Sequence, residues 1–133
     1  MNKIRTTILV KVNPTEDPEK VKRSVQNVFP TLDFKRIPQK RGYLLTTEVY
    51  GKAGLSKLYD LLRRERILDA ARATLFKGTD GNKITFYLNK QVAYVGHVSF
   101  CEPVGESSLG PIKVDISCDD AKELIDWLAP RSI

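Results

Sequence analysis

Strand-type and helix-type residue patterns follow one another along this chain in an order that repeating βαβ units do not produce. Residues 3–12 are rich in β-branched types and predict a first strand. Asp17-Pro18 predicts a helix start, because aspartate caps helix N-termini and proline suits the first helical position. Phe29-Pro30 ends that helix. Segments 32–38 and 43–50 then predict a hairpin around Gln39-Lys40-Arg41-Gly42.

The middle of the chain predicts a helical region that changes direction. From residue 54 an apolar stripe recurs at positions three and four apart. Continued in the same phase, the stripe would meet Glu65, Arg66 and Asp69, which a straight helix would turn toward the core. We therefore expect a break at 64–66 and a second helix over 67–76.

The last part of the chain predicts three further strands, at 84–88, 94–100 and 112–116, and a final helix that begins at Asp119-Asp120. The order β-α-β-β-α-α-β-β-β-α predicts a single α+β domain over 1–133. We expect a mostly antiparallel sheet of about six strands with helices packed on one face. Strands 94–100 and 112–116 would form a hairpin about 102–111, which would keep Cys101 and Cys118 apart and unbridged.

Composition excludes several classes of protein. A chain of 133 residues suits one domain, and its longest apolar runs, of four residues, are far too short to span a membrane. No apolar segment follows the charged start, so we expect no secretory signal and a cytoplasmic protein. Two cysteines and one histidine do not make a zinc site or a disulfide framework.

Charge is the first positive indication of function. The net charge is +6, but it is uneven: residues 101–133 hold three basic and seven acidic groups, so residues 1–100 carry a net +10. A basic body with an acidic end is typical of nucleic-acid binders. Arginine forks and lysine ammonium groups suit phosphate, and tyrosines suit stacking on bases. The predicted RNA-binding residues are Lys35, Arg36, Lys40, Arg41, Arg63, Arg64, Lys90 and Tyr87.

Other residues of the same types have structural interpretations. Asp69 lies three residues from both Arg66 and Arg72, so we expect these two arginines to form a structural ion network. Tyr43 and Tyr50 are further stacking candidates, although sheet tyrosines more often pack across strands. No nucleophile–base arrangement accompanies the lone His97, and turn formation explains 78–81. We therefore expect no catalysis, no cofactor and no metal.

Three blocks in this order resemble a known family: 66–72 (RILDAAR), 84–93 (ITFYLNKQVA) and 109–116 (LGPIKVDI). The chain resembles, over nearly its whole length, archaeal proteins predicted to bind RNA as exosome-linked subunits. The resemblance implies a fold similar to the large-subunit ribosomal protein that binds 5S RNA. It also marks the following polar residues as typical of the family: Arg66, Asp69, Arg72, Asn89, Lys90 and Gln91.

These observations predict a non-catalytic RNA-binding domain, linked to RNA processing, that holds phosphates through the basic hairpin and the helical region. Two alternatives stay open. One is a protein–protein or assembly module, including a homodimer, which an exposed apolar sheet face would favour. The other is a small-ligand regulatory domain of ferredoxin-like type, which a closed pocket lined by backbone amides would favour.

Overall fold

A computed structural model describes residues 3–102 and 110–131. The sheet contains six strands: β1 (Arg5–Val12), β2 (Lys35–Pro38), β3 (Tyr43–Tyr50), β4 (Thr79–Asp80), β5 (Lys83–Leu88) and β6 (Ile112–Ser117). The helices are α1 (Pro18–Gln26), α2 (Ser56–Arg64), α3 (Leu68–Lys77), α4 (Lys90–Tyr94) and α5 (Ala121–Leu128), with a 3₁₀ turn at Lys52–Leu55. The strand order is β2-β3-β1-β6-β5-β4, and every neighbouring pair is antiparallel. The predicted α+β class and antiparallel sheet are confirmed.

One face of the sheet carries the core. Along β1, every second residue is buried, from Thr6 to Val12, while the residues between them are exposed or half-buried. The buried strand residues share a single apolar cluster with helix residues such as Val25, Leu62 and Leu124. The helices therefore pack on this face, and the alternate strand residues lie on the other, which we call the open face.

The first helix and the hairpin form where the sequence predicts them. The Asp17 carboxylate accepts a hydrogen bond from the Glu19 N–H at 3.0 Å, and Pro18 is the first residue of α1. In the turn between β2 and β3, Gly42 has a φ of 75°, and a Cβ at this position would collide with the Val12 carbonyl oxygen. The hairpin tip therefore packs against the end of β1.

The predicted break between the second and third helices is confirmed. α2 ends at Arg64 and α3 begins at Leu68. Between them Arg66 adopts a left-handed φ of 58°. The Arg66 N–H bonds the Arg63 carbonyl, and the Ile67 N–H bonds the Leu62 carbonyl at 3.1 Å. This is the Schellman pattern, which ends a helix and redirects the chain.

The predicted strand over 94–100 is wrong. Asn89 accepts the Val92 N–H and caps α4, which ends at Tyr94. Phe100 makes one isolated bridge with Leu88, and β6 pairs with β1 and β5 instead of with this segment. The predicted loop of the hairpin falls largely on 103–109, outside the described residues. Neither cysteine forms a disulfide bond; Cys101 is partly exposed and Cys118 is buried. In the part of the chain that is described, no helix is long and apolar enough to cross a bilayer.

Candidate nucleic-acid interface

The hairpin presents four cations on one edge of the sheet. Lys35 and Arg36 lie on edge strand β2, and Lys40 and Arg41 lie in the turn; all four are exposed. The Arg36 guanidinium stacks over the Tyr43 ring at 3.8 Å, so this tyrosine supports an arginine. Within residues 3–102 and 110–131, none of the four cations forms an ion pair. Their charge is therefore available to an anion.

The strand registers extend this basic edge across the open face. Opposed pairs place five residues in one line across five strands, which we call the cross-strand row: Lys35, Thr46, Leu9, Lys113 and Tyr87. One step nearer the hairpin tip, Ile37 pairs with Leu44 and Leu44 pairs with Lys11. The sequence prediction did not include Lys11 and Lys113. Their positions between the buried residues of two strands are the signal that could have found them.

The rest of the open face carries charges of both signs, Arg5 and Lys83 as well as Glu48 and Asp115, and the two carboxylates are internally bonded. Glu48 accepts the Tyr50 hydroxyl at 2.8 Å and lies 3.9 Å from Arg5. Asp115 accepts the Thr85 hydroxyl and lies 3.9 Å from the Lys113 ammonium. Tyr50, a stacking candidate, is therefore engaged with Glu48 and lies opposite Arg5. The basic half of the open face is the half next to the hairpin tip.

The arginines of the helical region lie in the helical layer, on the other side of the sheet. Arg63 donates to the carbonyls of Tyr59, Trp127 and Leu128, at 3.1 to 3.3 Å, and its guanidinium stacks over the Tyr59 ring at 3.4 Å. It thereby caps the C-terminal end of α5, where carbonyls lack helical partners. Arg64, which is exposed, donates to the Gly96 carbonyl at 2.9 Å. The structure does not bring either arginine together with the hairpin.

Arg72 forms an ion pair within the fold, as expected, and its partner in that pair is Asp126. Its guanidinium lies 2.8 Å from the Asp126 carboxylate and donates to the Ala129 carbonyl at 3.3 Å. Hydrogen bonds from Lys122 and Arg72 hold the pKa of Asp126 below its ordinary value. Arg66, by contrast, is exposed on the linker between α2 and α3.

Lys90 is buried, which corrects its expected place on the RNA-binding surface. Its side chain is 4% exposed, and its ammonium donates to Glu16 at 3.0 and 3.1 Å and to the Lys11 carbonyl at 2.9 Å. Burial lowers the pKa of Lys90, against the opposing effect of Glu16. Burial opposes ionisation of Glu16 too, but hydrogen bonds from Asn13 and Lys90 prevail and hold its pKa below 4.5. The pair ties the loop after β1 to α4.

Tyr87 lies at the far end of the cross-strand row from the hairpin. It is half-buried on β5, beside an open cleft that Lys77, Thr85 and Glu102 also line. Four strand spacings of about 4.8 Å separate β5 from β2, or roughly 19 Å. The structure therefore places Tyr87 on the same face as the hairpin lysine Lys35, though not beside it.

The lone histidine forms an exposed pair rather than part of a cluster. His97 Nδ1 lies 3.0 Å from the Glu65 carboxylate. Among the described residues, no group of three or more histidine, cysteine or acidic side chains could hold a metal ion.

The chain is similar in sequence and in structure to known proteins. A family model described as RNA binding matches residues 5–118. The chain is 48% identical to a UPF0201 protein of Sulfurisphaera tokodaii over 94% of this chain and 86% of that protein. It is 45% identical to a UPF0201 protein of Thermococcus onnurineus, over 91% and 87%. The crystal structure of a UPF0201 protein from Methanococcus jannaschii superimposes with a TM-score of 0.84 at 40% identity, covering 97% of this chain and 95% of that one.

Proposed function

This chain belongs to the archaeal UPF0201 family, and the family model that matches it is described as RNA binding. We propose that the protein binds the phosphate backbone of RNA at its hairpin edge, without catalysis. The observation that carries the proposal is the group of four exposed cations on β2 and its turn. Within the described residues they form no ion pair.

The geometry of the hairpin suits phosphate in two ways. Arg36 lies over the Tyr43 ring, and this contact meets part of the cost of ordering its long side chain before RNA binds. Lys40 and Arg41 project from a turn whose backbone is fixed against β1 by Gly42. A guanidinium can bind two phosphate oxygens at once, whereas an ammonium acts as a point charge.

A place in RNA processing is part of the same proposal. It is supported by the resemblance of blocks 66–72, 84–93 and 109–116 to exosome-linked subunits. We extend the proposal to a cytoplasmic setting and to a fold related to the 5S-RNA-binding ribosomal protein. RNA is the partner that the family description supports.

A filter-binding titration of the protein against RNA at several salt concentrations tests this function. We expect the double variant Lys40→Ala, Arg41→Ala to bind more weakly. Its logarithmic salt slope should fall by up to about 1.4 for single-stranded RNA or 1.8 for a duplex, because each phosphate contact contributes about 0.7 or 0.9. Its melting temperature should change little, since surface changes away from packing usually stay within about 0.5 kcal/mol.

The control is the double variant Lys20→Ala, Arg23→Ala, which removes two exposed cations from α1 in the helical layer. It changes the net charge equally, so it separates local contact from overall attraction. A hairpin variant that binds as the parent does would contradict the proposed contacts. A parent that shows no salt-dependent binding to any RNA would contradict RNA binding itself and leave the assembly module as the better interpretation.

A further inference from the structure

The side chains of the open face indicate whether single-stranded or double-stranded RNA is bound, an inference that rests on the proposed function. We propose that the ligand is single-stranded RNA lying across the strands along the cross-strand row, with Lys35 at one edge and Tyr87 stacking on a base near the other.

The dimensions of the row suit a short stretch of nucleotides. Its five residues lie on five adjacent strands, about 4.8 Å apart, and span roughly 19 Å. In RNA-recognition motifs, a four-stranded sheet stacks two or three bases on its exposed face. The open face here has comparable width, and two of the five residues of the cross-strand row are lysines.

The side chains of the row match the parts of a single strand. Lys35 and Lys113 can contact phosphates, Tyr87 and Leu9 offer flat or apolar surface to base faces, and Thr46 offers a hydroxyl. A duplex hides its base faces in the stack and would leave Tyr87 and Leu9 without contacts. Unpaired bases can be splayed out and stacked on aromatic side chains, which favours the single strand.

The excess of positive charge lies in the half of the open face next to the hairpin tip. Lys35 and Lys113 lie in the row and Lys11 lies one step nearer the hairpin tip, where Lys40 and Arg41 add two more cations. Glu48 and Asp115 lie one step beyond the row, on the side away from the tip. A polyanion is therefore attracted to the row and the tip together, whereas the remainder of the face, where Arg5 and Lys83 balance Glu48 and Asp115, adds no net attraction.

The same charges disfavour a second copy of the chain as the occupant. A symmetric dimer through this half would bring its lysines against an identical set, because an isologous interface uses one patch twice. Lysine is also depleted in protein–protein interfaces. Single-stranded RNA is the complementary occupant.

Fluorescence polarisation with a labelled ten-nucleotide RNA, alone and as a blunt duplex with its complement, tests the inference. The parent should prefer the single strand at equal salt. Tyr87→Leu should weaken single-strand binding by about 5- to 150-fold with an unchanged salt slope, as expected for loss of one base stack. Tyr87→Phe should restore most of the affinity. Lys113→Gln should lower the slope by about 0.7.

Tyr50→Leu is the matched control, because Tyr50 is an exposed tyrosine of the same face that lies away from the row and donates to Glu48. It should bind as the parent does. Equal affinity for the two RNAs, together with parental binding by Tyr87→Leu and Lys113→Gln, would overturn the inference. A weaker hairpin variant would then still support the proposed function. Sedimentation showing a dimer that Lys113→Gln dissociates would also overturn it, in favour of a second copy.

Discussion

The cations of this protein differ in what surrounds their nitrogen atoms. That difference distinguishes cations that stabilise the fold from cations that are exposed and can bind an anion. Arg63 and Arg72 donate to carbonyls at the C-terminal end of α5, and Lys90 lies in the interior against Glu16. Lys40 and Arg41 are exposed on a turn. The sequence shows that all five are basic. It does not show which carbonyls or carboxylates Arg63, Arg72 and Lys90 will contact, because these partners lie more than fifty residues away.

Arg72→Ala should lower stability and leave RNA binding unchanged. The substitution removes the Asp126 ion pair at 2.8 Å and the bond to the Ala129 carbonyl, both made by a side chain that is only 17% exposed. Loss of a hydrogen-bonded charged group in such a place costs about 1–3 kcal/mol. Thermal unfolding measures the expected loss of stability, and the salt slope of RNA binding, which should not change, is measured on the same variant.

Lys122→Ala is the matched control for Arg72, since Lys122 pairs with the same Asp126 carboxylate at 3.0 Å but is 73% exposed. A surface pair of this kind contributes about 0–1 kcal/mol. If both variants had equal melting temperatures, the structural role assigned to Arg72 would be wrong.

Glu16→Gln should make the free energy of unfolding depend less on pH below about pH 4.5. The folded-state pKa of Glu16 lies below 4.5, so the stability that its carboxylate contributes is present above pH 4.5 and is lost as pH falls through the folded value. The variant should be less stable at pH 7 by about 1–3 kcal/mol, and the difference from the parent should shrink toward pH 3. Urea unfolding at pH 7, 5 and 3 measures this. Glu19→Gln, on an exposed carboxylate, is the control, and a Glu16→Gln deficit that stays constant with pH would contradict the assignment.

Elements whose signals are local were predictable from the sequence, and those that depend on distant contacts were not. The α1 cap, the hairpin and the break after α2 follow from residues within a few positions of one another. The apolar alternation around 94–100 predicted a strand, but the Asn89 cap and the Lys90–Glu16 pair commit 90–94 to α4. Glu16 is 74 residues from Lys90, so no local pattern shows this pair. Likewise, the cross-strand row exists only once the strand registers are known.

Arg66→Gly should stabilise the turn between α2 and α3. Arg66 is the left-handed residue of a Schellman motif, a position usually taken by glycine. A left-handed conformation costs a residue with a Cβ about 1–2 kcal/mol, while glycine adds roughly 0.5–1 kcal/mol of unfolded-state entropy. We expect a net gain of about 0.5–1 kcal/mol over Arg66→Ala, which keeps the Cβ. Denaturant unfolding compares the two, and an alanine variant as stable as the glycine variant would refute the strain at this position.

The acidic start of α5 and the basic hairpin tip lie at opposite ends of β1. The Lys3 backbone N–H bonds the Asp119 carboxylate at 3.1 Å, which places the acidic start of α5 beside the first residues of the sheet. The hairpin tip lies at the other end of β1, against Val12. Nine residues at about 3.3 Å put these ends roughly 30 Å apart. The Debye length is about 8 Å at physiological salt, so the acidic end does not cancel the attraction of the basic end for RNA there.

This separation predicts a salt-dependent effect of the acidic end. The double variant Asp119→Asn, Glu123→Gln should bind RNA about twofold more tightly at 10 mM salt, where the Debye length reaches about 30 Å, and as the parent does at 150 mM. Asparagine at 119 can still accept the Lys3 N–H, and the Asp120 cap of α5 is untouched. Glu48→Gln is the contrasting variant, because Glu48 lies one step from the cross-strand row and its removal should strengthen binding at both salt concentrations. An equal gain by the two variants at 150 mM would mean that RNA reaches the acidic end, and the site would then extend along the whole of β1 instead of lying at the hairpin end.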